Sequence, residues 1–418
     1  MDEDVGYQIE LLLVSRIRTR LAEWRMAGFP GASKITLELL AYWQREGREK
    51  RLFFAQIEAA QTVIFLTEAR SDFLQGINVP LDEPSDKQKA EGIKAFQRYA
   101  CKMATGSGKT TVMGMLAAWS ILNKVAGGND RSRARLFSAT VVAVCPNVTI
   151  RNRLAELDPA LGEASLYRSR DLVPAHLMGP LSQGRVLVMN WHVFALQDGN
   201  KVGGTAAKVV RTGRELNVLE TVRIGDKTTT ARGTRYLALA DYRSQVAAGL
   251  LEVKLEETDD SGSLVRAQVA STRFVESDAA WLERVLSVKA GRRANVLVLN
   301  DEAHHAYRIR SEEPDAFEDA DDEGFEDYYK EVTVWVEGLD RIHKQVGING
   351  CVDFSATPYF LGRVGEQANR PFPWVVSSFD LMEAIESGLT KIPQFAVRDM
   401  SGQSIPGTST SGAGYCRS

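Results

Sequence analysis

Cysteine is scarce in this sequence: four residues in 418, at positions 101, 145, 351 and 416, with no CxxC pair. That excludes a zinc ribbon and a disulfide framework and points to a reduced, cytosolic chain. Long apolar runs are missing as well. Leu11 to Val14 is too short for a signal peptide, and nothing approaches a membrane span, so no membrane partner is expected. Nor is there an excess of charge of one sign. Lys and Arg number 51 against 54 Asp and Glu, a net −3 that advertises no polyanion partner. The balance is local in origin, however. Ten acidic residues and no basic one lie between Glu312 and Asp327, and without them 44 acidic residues face 51 basic ones. Such a run is expected to be a solvated loop.

What is present is ordinary globular composition, 44% hydrophobic and 25% charged, which excludes disordered, collagen-like and coiled-coil chains. The length exceeds what one core usually supports, so two or three domains are expected. Leu11, Val14, Ile17, Leu21 and Trp24 share one helical face, and the Gly28–Gly31 cluster ends that helix. Ser33 can cap a second helix carrying Leu37, Leu40 and Trp43, so residues 1–75 read as an N-terminal helical region.

Beyond residue 76 short apolar runs alternate with helical stretches. Strands are expected at 140–144, 185–189, 294–299 and 350–354, with a helix over 110–122. This rhythm implies an α/β fold with a parallel sheet, in two sequence segments, 76–196 and 291–400. Residues 197–290 break it and read as an inserted subdomain of mixed strand and helix. The Ser-, Gly- and Thr-rich stretch 401–418 reads as an unstructured tail.

The segment MATGSGKT at 103–110 follows a short strand and opens a helix, which is the context a P-loop needs. Gly106 and Gly108 let the backbone wrap closely, so the N–H groups of Thr105 to Thr111, Ser107 included, can face phosphates at a helix start. Lys109 would reach the β- and γ-phosphates, and the Thr110 hydroxyl would bind Mg²⁺. Position 103 is Met where the simplest form of the motif has Gly. ATP and Mg²⁺ are therefore the expected ligands. Further along, the run NVLVLNDEAH at 295–304 is an apolar strand ending in two carboxylates. Asp301 would face the metal, and Glu302 beside it would orient or deprotonate water.

With both motifs in view, the chain resembles the DEAH-type superfamily 2 helicases and translocases, whose core is a RecA-like P-loop NTPase lobe. The Ser355-Ala-Thr357 segment is similar to that family's coupling motif, and His304 resembles its relay to the nucleotide. Pro146 and Asn147, in the run VCPN, stand where the family contacts nucleic acid, and Asn190 stands at a second such place. Gln56, in FFAQ, looks like an adenine-recognising element. Together with the run IESGLTKIP at 385–393, these features narrow the resemblance to the motor subunit of type III restriction endonucleases and related helicases. That implies double-stranded DNA as partner and, in such systems, a modification methyltransferase subunit.

The family hydrolyses ATP between two lobes, the second carrying arginine fingers in a Gln-x-x-Gly-Arg-x-x-Arg pattern that this sequence does not contain. The expectation is a single lobe that binds ATP, hydrolyses it poorly by itself and does not translocate. The competing reading is a non-catalytic nucleotide- and DNA-binding remnant, or the partner of a separately encoded second lobe. The ending GTSTSGAGYCRS, 407–418, departs from the family, and a reading-frame shift is one account of it: one permitted back-translation, read from its third base, encodes an aromatic-rich segment. Asp241 with Glu252 and Lys254 fits a nuclease spacing loosely, but a plain surface strand is the simpler reading. His192 and His305 are read as packing or phosphate contacts, since no converging metal ligands are visible.

Overall fold

The structure is a computed structural model that describes residues 11–128, 130–197, 213–225, 235–248, 251–259, 261–288, 295–308, 323–360 and 370–390. The tail 401–418, the segment beyond 390 and most of the acidic run lie outside these residues. The end of that run, from Glu323, is helical rather than a loop.

The architecture is α/β, built on a six-stranded, all-parallel sheet with strand order β10-β1-β9-β8-β2-β3. The strands are β1 (Arg98–Met103), β2 (Thr140–Cys145), β3 (Arg185–Asn190), β8 (Val296–Asp301), β9 (Ile348–Ser355) and β10 (Val375–Phe379). All four strands expected from apolar runs are present: β2 and β3 run one residue further, β9 is longer at both ends, and β8 lies two residues later than expected, at Val296–Asp301. Their side chains alternate between two cores, as the period of two requires. Val141, Ala143, Cys145, Leu297 and Leu299 face one side, where helix α3 (Phe54–Glu68) and helix α4 (Lys109–Ala126) supply Ile64, Phe65, Val112 and Leu116. Val142, Val144, Val296 and Val298 face the other, against Trp281, Leu282, Trp335 and Leu339.

Helix α1 (Leu12–Met26) and helix α2 (Lys34–Gln44) do not form a body of their own. Ile17, Leu21, Trp24, Leu40 and Trp43 enter the same core as the first face of the sheet. Buried polar bonds tie these helices down: Glu68 accepts from the Ser33 N–H (2.8 Å) and from Trp119 Nε1 (2.7 Å). Between β3 and β8 a separate four-stranded sheet is inserted, order β5-β4-β7-β6, with β4 (Gly213–Ile224), β5 (Arg235–Leu237), β6 (Leu251–Thr258) and β7 (Leu264–Glu276). The helix Asp278–Leu286 follows it and packs on the main sheet, because Trp281, Leu282, Val285 and Leu286 form an apolar face that the small sheet leaves uncovered.

A buried ionic chain runs beneath β1 and β9. Arg98, fully buried, donates to Asp353 on β9 (2.9 Å) and Asp82 (3.0 Å), while Arg308 donates to Asp82 (2.9 Å) and grips Asp340 through both terminal nitrogens. Asp353 also accepts from Asn300 on β8 (2.8 Å) and from the Trp374 indole (3.0 Å). Among the described residues, no helix is long and apolar enough to cross a membrane.

Candidate functional site

Strand order reverses around β1: the chain leaves it for β2, three places away, and β10 later returns to its other side. Ligands of open parallel sheets sit at the carboxyl ends of strands near such a point. Three of the sequence motifs end there. The loop Ala104–Gly108 leaves β1 and enters α4; Asp301 and Glu302 end β8; Ser355 ends β9.

The loop turns on two glycines in the left-handed region, Gly106 (φ +84°) and Gly108 (φ +91°). Space beside Gly106 is open, and Thr105 and Gly106 are exposed. A side chain at Gly108 would instead collide with Gln56, whose Nε2 lies 2.0 Å from where a Cβ would stand. Ser107 is buried; its hydroxyl donates to the Ala104 carbonyl (2.7 Å), and its own carbonyl accepts from Gln56 Nε2 (3.1 Å). Gln56 Oε1 in turn accepts from the Phe53 N–H (3.1 Å). Both ends of Gln56 are thus engaged with protein, and it braces the loop. Thr110 is half-buried and Thr111 buried at the start of α4; the Thr111 N–H donates to the Gly108 carbonyl (2.9 Å) and the Ser107 N–H to the Ala104 carbonyl (3.1 Å).

Lys109 and Glu302, 193 positions apart, meet at 2.5 Å from Nζ to Oε1. The lysine side chain is 9% exposed and the glutamate 25%, so the pair is largely shielded. Glu302 adopts φ +53°, ψ +48°, a left-handed conformation that costs a non-glycine residue about 1–3 kcal/mol. That turn swings its carboxylate off the strand axis and toward Lys109. Asp301 is buried, its side chain 1% exposed. Burial pushes its carboxyl above the ordinary range, with Lys109 opposing the shift. Oδ1 accepts from the Glu302 N–H (3.2 Å), and Oδ2 from Arg153 Nη2 (3.3 Å). Arg153 belongs to helix α5 (Val148–Leu154) and was invisible as a site residue in the sequence, where it is one of many arginines.

His304 Nδ1 shares a 2.9 Å hydrogen bond with Ser355 Oγ and lies 3.6 Å from Glu302 Oε2. Ser355 Oγ also accepts from the Thr357 N–H (3.0 Å). One short polar path therefore joins the end of β8 to the turn after β9. Burial lowers the His304 pKa, so the ring is neutral at neutral pH. His305 is half-buried and brought down to about 4, again by burial. Pro146, Asn147 and Asn190 lie on the same edge, at the ends of β2 and β3. Asn147 is exposed, and its side chain caps α5 by accepting from the Ile150 N–H (2.9 Å). His192 stacks on Trp191 with ring centroids 3.7 Å apart. Glu252 and Lys254 are exposed on β6 and pair with each other (2.6 Å), away from these motifs in the fold. Among the described residues, no group of three or more His, Cys, Asp or Glu could hold a metal ion by itself.

No protein-family model, curated protein or solved structure matches this chain, so a functional reading has to stand on the geometry above.

Proposed function

We propose that this chain is the RecA-like, ATP-binding lobe of a DNA helicase or translocase of the restriction type. The observation that supports it is convergence: the glycine-rich loop, Lys109, the Asp301–Glu302 pair and the His304–Ser355 bond gather on one edge of a parallel sheet where strand order reverses. The residues suit a nucleoside triphosphate with Mg²⁺. The open side of Gly106 and the start of α4 offer backbone donors to phosphate. Thr110 and Asp301 would hold Mg²⁺, an arrangement that takes only one carboxylate and so needs no dense ligand cluster. When bound, the metal neutralises charge on the β- and γ-phosphates.

The Lys109–Glu302 contact ties the proposed base to the lysine of the glycine-rich loop. A γ-phosphate competes for the Lys109 ammonium, and Glu302 is then released to take a proton from the attacking water. The oxygen of that water bonds to the γ-phosphorus as the bond to the ADP oxygen breaks. His304, kept neutral, can pass the position of Glu302 to Ser355 and so to the turn bearing Thr357. Duplex DNA would run along the edge marked by Pro146, Asn147, Asn190 and Thr357, through contacts that weaken with salt. The test is binding of a fluorescent ATP analogue, with and without Mg²⁺, alongside ATP turnover with and without duplex DNA. We expect Mg²⁺-dependent binding lost in Lys109→Ala and kept in Glu302→Gln, with slow turnover that Glu302→Gln abolishes. Equal binding by wild type and Lys109→Ala, or equal turnover by wild type and Glu302→Gln, rejects the assignment.

A further inference from the structure

Arg153 has no place in the function just proposed, yet its guanidinium is the group that reaches Asp301 Oδ2. The two carboxylates of the site have divided the available cations. Glu302 takes Lys109 at 2.5 Å, and Asp301, more deeply buried, takes Arg153 at 3.3 Å. These cations differ in mobility. Lys109 is enclosed at 9% exposure, whereas the Arg153 side chain is 59% exposed and can swing into water with little loss. Oδ1 accepts the Glu302 N–H, and the guanidinium stands on Oδ2, the oxygen that no backbone donor holds. A divalent ion and the guanidinium compete for that oxygen, because like charges a few ångströms apart repel.

The helix that carries Arg153 is short and mostly exposed. In α5 only Leu154 is buried; Val148, Thr149, Arg151 and Asn152 are exposed, and the helix follows directly on Asn147 at the end of β2. Its anchors are Leu154, the partly buried Ile150 packed against the first core, the Asn147 cap and the bond from Arg153 to Asp301. We propose that Arg153 is the resident counter-cation of Asp301, displaced when metal arrives with nucleotide, and that the exchange couples metal binding to polyanion binding along α5. The inference rests on the nucleotide-site reading and adds a residue and a direction to it. Coupling is reciprocal. A phosphate backbone that draws Arg153 outward removes the competitor from Oδ2 and tightens the metal, and the metal frees Arg153 for phosphate.

The experiment is Mn²⁺ titration by electron paramagnetic resonance on the full chain with a non-hydrolysable ATP analogue. Arg153→Gln is expected to bind Mn²⁺ about two- to fivefold tighter than wild type, the range of a half-exposed ion pair. Arg151→Gln, an equal charge change two residues earlier on α5, is expected to leave the affinity unchanged. Duplex DNA should tighten Mn²⁺ in wild type and add nothing in Arg153→Gln. The proposal is overturned if Arg153→Gln titrates like wild type, if Arg151→Gln shifts as much, or if duplex fails to discriminate the two proteins. Failure of the underlying site is distinguishable, because then wild type would not bind Mn²⁺ with nucleotide and Lys109→Ala would change nothing.

Discussion

Replacing Lys109 by Met tests the electrostatics of the resting site without any ligand. Met fills a similar volume but leaves two adjacent carboxylates facing each other with Arg153 as their nearest remaining cation. Stripping one partner from a fully buried ion pair costs about 3–5 kcal/mol. Glu302 is a quarter exposed and Arg153 still serves Asp301, so the expected loss is about 2 kcal/mol, roughly a 30-fold fall in the folded-to-unfolded ratio. The penalty also has a pH signature. The folded-state pKa of Asp301 is already raised by burial, and Lys109 is what restrains it. Without the lysine, Asp301 favours its protonated form still more in the fold. A protonated Asp301 no longer opposes Glu302 as a second charge, so the like-charge part of the penalty is present at high pH and fades as pH falls through that folded pKa. Urea unfolding followed by tryptophan fluorescence at about pH 8 and about pH 5.5 reads both effects. Adding Glu302→Gln should recover most of the loss at the higher pH. A penalty equal at the two pH values, or one untouched by Glu302→Gln, would refute the account of the pair.

Two further outcomes follow from the same geometry. Gly108→Ala should destabilise by about 2–3 kcal/mol, combining a left-handed alanine with expulsion of Gln56, whereas Gly106→Ala, also left-handed but open, should lose about 1 kcal/mol; equal denaturation midpoints would dismiss the brace. Asp301→Asn should stabilise the ligand-free protein, since wild-type Asp301 must ionise in a buried place. The gain should be full at high pH and vanish as pH falls below the ordinary carboxylate range, which differential scanning calorimetry across pH can follow.

The sheet was largely legible because its strands are buried on both faces and so read as short apolar runs, such as Val296–Leu299. The loop at 104–108 and the carboxylates at 301–302 were legible because their chemistry demands fixed local spacing. Strand β10 was not, as VVSSF is short and half polar and becomes a strand only by pairing with β1. The helix Glu323–Gln345 was hidden by acidic residues at its start. The contact of Gln56 with the loop 51 positions away is likewise not visible in its local sequence. Arg153 illustrates the general difficulty: nothing near it in sequence shows that it faces a carboxylate 148 positions on.

The charged chain of Arg98, Asp82, Arg308, Asp340 and Asp353 constrains how this protein can change over time. Each arginine answers to two aspartates, so a neutral substitution of Arg98 strands Asp353 and one of Arg308 strands Asp340, at a cost of several kcal/mol. Drift at these five positions should therefore be concerted or not occur. Anyone grafting the glycine-rich loop onto another sheet would need to bring along Asp82 and Arg308, which lie in neither motif, or redesign the whole cluster as apolar.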